Sequence, residues 1–278
     1  MTPEGTRVVI RGAGDLGTGV AARLWRCGFA VVMTEIAEPT SIRRTVAFAE
    51  AVYAGRAVVE GIEARRVEGI TEVPDCLRRG IIPVLVDPDG ALARRLGPDI
   101  LVDATLSKRN ALTRITDAPI VIALGPGFRA GVDAHAVVET NRGHNLGRVI
   151  LEGEAEPDTG VPGVIAGAGE ERVLRAPREG RFREGRAIGD RVERGEVVAH
   201  VDGAPVVAGV AGILRGLLRG GLRVEEGLKV GDVDPRANRE HCHTISDKAL
   251  AVAGGVLEAI FVAGRRAAPT NPTPLVEA

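Results

Sequence analysis

The chain has 278 residues, 45% of them hydrophobic, and a net charge of -1, which provides for two modest cores and excludes global disorder. Basic and acidic residues balance at 36 and 37, and aromatics make up only 3%, so neither an electrostatic footprint nor a stacking platform for nucleic acid is expected. No apolar run approaches the ~18 residues of a membrane span, so no membrane association is expected either.

Residues 6–11 read as a buried strand, followed by the turn Gly12-Ala13-Gly14-Asp15-Leu16-Gly17 and a helical stretch around Val20–Cys27. A second strand is expected over 30–35, then a helix from Pro39 to Ala54 with Thr40 or Ser41 as its N-cap. Short apolar runs at 81–86, 100–102 and 119–124 complete the pattern of a parallel sheet covered on both faces. Residues 1–140 are therefore read as a Rossmann-like, doubly wound α/β domain that binds a nucleotide.

Residues 141–170 are rich in Gly, Pro and acids and read as a connecting segment. Shifting the chain by 32 residues then aligns 176–202 with 208–234, with eleven identities and no gap. This internal duplication predicts a β domain over 171–236, built as a quasi-two-fold sandwich or small barrel. A C-terminal segment, 237–278, carries a helix from Ser246 and ends in a tail.

The G-x-G-x-x-G at 12–17 follows a strand and opens a helix, the context in which it binds phosphate. Gly12 makes the turn, Gly14 lets phosphate approach the backbone, and Gly17 packs helix on strand. Glu35 ends the second strand, where an acid meets a ribose hydroxyl. Asp15 stands inside the loop and repels a pyrophosphate unless it points away. Asp103, Gly125 and Gly127 follow other strand ends and are expected at the same crevice, with helix capping or an ordinary turn as the alternative for each.

Positive charge is nearly all arginine, and the only lysines are Lys108, Lys229 and Lys248. Lys108-Arg109 is either a phosphate contact or a solvated pair. Three well-separated cysteines do not make a disulfide framework, and no leader pattern opens the chain; a cytoplasmic location is expected. Cys27 and Cys76 read as core residues. Cys242, flanked by His241 and His243, is the candidate nucleophilic thiol; an extended backbone places the two imidazoles on one face and the thiol on the other, so no metal set is expected from this triplet. Signatures of common hydrolases, zinc proteases and P-loop proteins are absent.

The segments RGAGDLGTGVAARL, TEIAEPTSIRR, LGPGFRAGVD, ETNRGHNLGRVI, GVAGILRGLL, GLKVGDVDPR and TISDKALAVAGGVLEAI together resemble the selenium-dependent molybdenum hydroxylase accessory protein family of YqeB type, over about residues 7–262. The resemblance implies a maturation factor whose partners are a molybdenum hydroxylase apo-enzyme and a small nucleotide ligand. It implies a nucleotide or dinucleotide cofactor, with molybdenum cofactor and NAD(P) as the alternatives. It also implies a barrel-sandwich-hybrid-like fold for the repeat, similar to biotinyl and lipoyl domains. The hairpin tip His200–Pro205 has no lysine, so neither biotin nor lipoate is expected. Within this reading Cys242 is the candidate selenium or sulfur acceptor. An NAD(P)-dependent oxidoreductase and a nucleotide-responsive regulatory protein are the other readings; Tyr53 lacks a lysine four residues on, which disfavours the first. A homo-oligomer stays open.

Overall fold

A computed structural model describes residues 2–110 and 112–267; the expected tail after Ala267 lies outside them. The chain runs β1 (Arg7–Arg11), α1 (Asp15–Arg26), β2 (Ala30–Glu35), α2 (Glu50–Ala54), β3 (Arg56–Val59), β4 (Ile62–Val67), α3 (Val73–Arg78), β5 (Ile82–Val86), α4 (Ala91–Arg95), β6 (Ile100–Asp103) and β7 (Ile120–Leu124). Short strands β8 (Arg129–Ala130), β9 (Ala136–Val138), β10 (Val149–Ile150) and β11 (Gly153–Glu154) follow.

Nine strands form one sheet in the order β10-β9-β7-β6-β1-β2-β5-β4-β3. Its centre is parallel, whereas β3 runs antiparallel to β4 and β10 antiparallel to β9. The expected doubly wound parallel sheet is thus corrected to a mixed sheet. At one edge the reversal is made by a hairpin whose turn residues Glu60 and Gly61 both have positive φ, a conformation matching the right-handed strand twist. Strand order changes direction at β1, between β2 and β6. That switch point opens a crevice beyond the carboxyl ends of both strands.

The expected helix over 39–54 is mostly absent. Only a 3-10 turn at Arg44–Val46 and α2 form, because the segment docks on the repeat. The Leu217 amide donates to the Ile42 carbonyl at 2.7 Å, and Arg44 Nε to the Leu217 carbonyl at 2.7 Å. Tertiary hydrogen bonds override local propensity here.

The repeat contains β12 (Val173–Arg175), β13 (Gly180–Glu184), β14 (Arg191–Val192), β15 (Val197–Val201), β16 (Ala204–Val207), β17 (Gly212–Leu217), β18 (Arg223–Val224) and β19 (Lys229–Asp234). Strands β13, β14 and β15 map onto β17, β18 and β19 under the 32-residue shift. They form two four-stranded sheets, β12-β19-β17-β14 and β16-β15-β13-β18, antiparallel throughout. Each sheet borrows its short strand from the other half, so neither half closes alone. Phe182, Val192, Leu214, Leu217 and Val233 are buried between them. Matching residues at the turns predict strand, turn and strand; they do not determine how the sheets close, and the barrel-sandwich-hybrid-like assignment is not retained.

After the repeat, a 3-10 turn at Arg239–Cys242 leads to α5 (Asp247–Ala267), which returns to the sheet. Val252, Val256 and Ile260 join one core with Val20 and Leu24 of α1 and with Ile122 and Val138 of the sheet. Helix α1 can approach α5 closely because Gly19 leaves no room for a Cβ beside Ala249, 2.8 Å away. The α/β layer therefore draws on both ends of the sequence, and α5 begins beside the repeat. No helix among the described residues is long and apolar enough to cross a membrane.

Candidate functional site

A cleft of about 500 Å³ lies where the sheet's switch point, the segment 156–165, the repeat and the start of α5 meet. Asp15 and Leu16 of α1 line it together with Leu106 and Lys108 after β6. Leu106 and Lys108 both adopt positive φ, at 54° and 60°, strain of the kind that concentrates at working sites. The segment is tied across the opening by an ion pair from Lys108 Nζ to Asp158 at 2.6 Å. The Gly163 carbonyl accepts from Arg172 Nε at 3.3 Å and Nη2 at 3.0 Å.

Eight basic side chains line the cleft against four acidic ones. Most of the arginines are committed. Arg172 pairs with Asp232, Arg142 grips Asp247 bidentately at 2.7 and 2.9 Å, and Arg215 reaches Asp234 at 3.4 Å. Arg43 Nη1 sits 3.5 Å from Asp15, while its Nη2 donates to the His241 carbonyl at 2.8 Å. Arg43 and Arg215 are each 7% exposed, and the Nε of each has no partner.

Lys229 and Lys248 differ from these arginines. Neither has an ion-pair partner among the described residues, and in both the ammonium is held below the ordinary lysine range, first by burial. Asp232, and after it Asp15, partly offsets that desolvation at Lys229, and Asp15 does so at Lys248. Lys229 also counts as exposed by surface area; a group in a concave, open cleft is reachable by solvent yet surrounded by protein. Every lysine of this chain lines this one cleft.

Of the residues expected at the crevice, only Asp15 lines it. Gly12 has φ +92°, and a Cβ there meets the Ala104 carbonyl oxygen at 2.7 Å; one on Gly17 meets the Gly12 oxygen at 2.2 Å. These two glycines fix the turn and the packing of α1. Gly14 is the N-cap of α1, with only Ser41 Oγ near a Cβ, at 3.4 Å. The Glu35 carboxylate is turned onto the loop itself. It accepts from the Ala13 amide at 2.8 Å and the Ile36 amide at 2.7 Å, and burial raises its pKa.

Asp103 is buried beneath the cleft, accepting from Thr113 Oγ1 at 2.5 Å and lying 3.6 Å from Arg11. Gly125 and Gly127 have positive φ and press on Thr140 and on the Lys108 backbone. They place Pro126, which does line the cleft. The expected phosphate-contacting residues are thus mostly the frame, and the charge is supplied by Lys229, Lys248, Arg43 and Arg215. Of these, the two lysines had a signal in the sequence, their rarity.

The candidate nucleophilic thiol, Cys242, does not reach the surface. Its residue is fully buried, Sγ faces the Leu214 carbonyl at 3.8 Å, and burial raises its pKa. The backbone there is a 3-10 turn and not extended, so the flanking imidazoles diverge: His241 turns to Asp234 at 3.3 Å, and His243 is exposed. No group of three His, Cys, Asp or Glu side chains suited to a metal ion occurs among the described residues. Iodoacetamide is expected to modify Cys27, the exposed cysteine, in the folded chain, and Cys76 and Cys242 only after unfolding. Peptide mass mapping checks this, and rapid labelling of Cys242 would restore it as a nucleophile.

No family model matches this chain. It is 51% identical over 255 residues to the uncharacterized protein YqeB of Escherichia coli, an alignment covering 92% of this chain and 47% of YqeB. The chain thus spans about half the length of that curated relative. Among solved structures it is similar to an aspartoacylase family protein from Mesorhizobium loti (14% identity, 84% of this chain and 87% of that one, TM-score 0.27). It is also similar to a succinylglutamate desuccinylase from Silicibacter (14%, 83% and 85%, TM-score 0.25) and to the E. coli tRNA threonylcarbamoyladenosine dehydratase TcdA (12%, 94% and 88%, TM-score 0.28). None of the proteins named carries molybdenum hydroxylase maturation in its description. The sequence likeness is consistent with a YqeB-type family.

Proposed function

We propose that this chain binds a phosphate-bearing small molecule, of nucleotide or pterin-dinucleotide type, in the cleft between the sheet's switch point and the repeat. The observation that carries this reading is the convergence of all three lysines on one cleft, with Lys229 and Lys248 unpaired among the described residues. An unpaired, partly dehydrated ammonium is costly, and a bound anion offsets that cost. Two of the three arginines whose Nε has no partner among the described residues, Arg43 and Arg215, line the same space. The cleft volume, about 500 Å³, suits a ligand of nucleotide size. For the whole protein, the resemblance described above makes this ligand site part of a factor that serves a molybdenum hydroxylase apo-enzyme.

Calorimetric titration with inorganic pyrophosphate at low salt tests the ligand class. Each charge-assisted contact is worth about 1.5–3 kcal/mol, so Lys229→Gln with Lys248→Gln is expected to weaken binding by about 100-fold or more. Binding requires the protonated amines, whose pKa values are lowered. Affinity is therefore expected to fade, as pH rises, before the ordinary lysine range is reached. Unchanged affinity in the double variant would refute this reading. The role in maturation predicts lower hydroxylase activity in cells carrying the double variant at normal protein level.

A further inference from the structure

Asp15 is out of place for a site that holds a pyrophosphate over its glycine turn. It is the first residue of the twelve-residue α1, whose N-terminus has no side-chain cap. The positive end of a helix favours an anion there, and the chain supplies its own. Two residues earlier in the loop the Ala13 amide, which such a phosphate would use, already donates to Glu35. A phosphate laid on this turn meets two carboxylates.

Asp15 is also not used up by the protein. Its side chain keeps about a third of its surface open (34%), and its only ion-pair partner among the described residues is Arg43, at 3.5 Å. Lys229 and Lys248 line the same cleft as Asp15. The cleft therefore carries an acceptor at the start of α1, with Arg43 beside it, and two ammonium groups where β19 and α5 begin, with Asp232 of β19 also in the lining.

We infer that Asp15 is the specificity-determining residue of this cleft: the phosphate end of the ligand lies on the wall of Lys229 and Lys248, and the group that reaches Asp15 is a paired N–H donor, such as the amino and ring N–H edge shared by guanine and pterins. A carboxylate matches such an edge with two parallel hydrogen bonds. A bare polyanion lacks any group that Asp15 can accept from, and Asp15 repels it. This inference rests on the ligand class proposed above and names the part of the ligand that the lysines do not read.

The test compares wild type with Asp15→Asn by calorimetry, using inorganic pyrophosphate, GDP, IDP (which lacks the amino group) and 6-hydroxymethylpterin diphosphate. In wild type, GDP or the pterin diphosphate is expected to bind tenfold or more tightly than IDP. In Asp15→Asn that preference collapses, while pyrophosphate alone binds severalfold more tightly. Which of GDP and the pterin binds better identifies the source of the edge. Equal binding of all three diphosphates in wild type, or a preference that Asp15→Asn leaves intact, overturns the inference. Two failures are distinguishable. If the double lysine variant does not weaken pyrophosphate, the proposed ligand class falls. If it does, and Asp15→Asn changes nothing, only the role of Asp15 falls.

Discussion

Asp234→Ala is expected to lower the stability of the chain by about 3–5 kcal/mol, the usual cost of removing one partner from a buried ion pair. Asp234 closes β19 and is 1% exposed. One carboxylate oxygen accepts from the Arg236 amide at 3.0 Å and Nε at 2.9 Å; the other accepts from Arg236 Nη2 at 2.6 Å and lies 3.4 Å from Arg215. His241 approaches the second oxygen at 3.3 Å. Removing the carboxylate leaves Arg215 buried and uncompensated, with an Nε that already has no partner. The same cluster holds the turn that leads from the repeat to α5. Urea denaturation measures the loss as a lower midpoint with an unchanged slope; a midpoint shift under a tenth of the wild-type value would show that the cluster is not stabilising.

The pH dependence of this contribution has a definite sign. The Asp234 carboxyl is held well below the ordinary carboxylate range, against its own burial, by hydrogen bonds and charge from Arg236 and by Arg215. A group whose folded pKa lies below its unfolded one stabilises fully above the unfolded value, and loses that stabilisation as pH falls below it. The difference between wild type and Asp234→Ala is therefore flat near neutrality and shrinks below about pH 4.

Much of the sheet could be read from sequence because its central strands are continuous apolar runs buried on both faces: 82–86, 100–103 and 120–124 have few competing interpretations. The repeat was legible from its identities. What escaped were features made by distant partners. Residues 39–54 carry helix signals, yet Ile42 and Arg44 hydrogen-bond to Leu217 far along the chain. Short strands such as β9 and the edge strand β10 carry too few residues to show a period. At the site, the glycine fingerprint lies beside the cleft, with Asp15 and Leu16 in its lining. Glu35 turns inward to hold the loop, and two ammonium groups of the cleft come from β19 and α5, which no local motif announces. Cys242 was judged by its neighbours in sequence, and its neighbours in space bury it.

Gly17→Ala should show how far the fingerprint serves the frame. A Cβ at this position falls 2.2 Å from the Gly12 carbonyl oxygen and 3.4 Å from the Ala104 Cβ. Gly12 cannot retreat, because its own missing Cβ leaves it pressed on the Ala104 carbonyl, with φ at +92°. Helix α1 must therefore shift away from β1, against its packing on α5 at Gly19. Such overpacking costs about 1–3 kcal/mol and sometimes more, and the gain of about 1 kcal/mol from replacing glycine in a helix offsets only part of it. Gly14→Ala is the matched control. Gly14 has φ -63° and an open Cβ position, and losing glycine at an N-cap costs at most about 1 kcal/mol. The expected result is a clear fall in melting temperature for Gly17→Ala and a small one for Gly14→Ala, with pyrophosphate affinity following stability in the first and nearly unchanged in the second. Because Gly14 does not line the cleft, a large loss of affinity in Gly14→Ala at intact stability would return the phosphate to the glycine turn and remove Lys229 and Lys248 as its principal contacts.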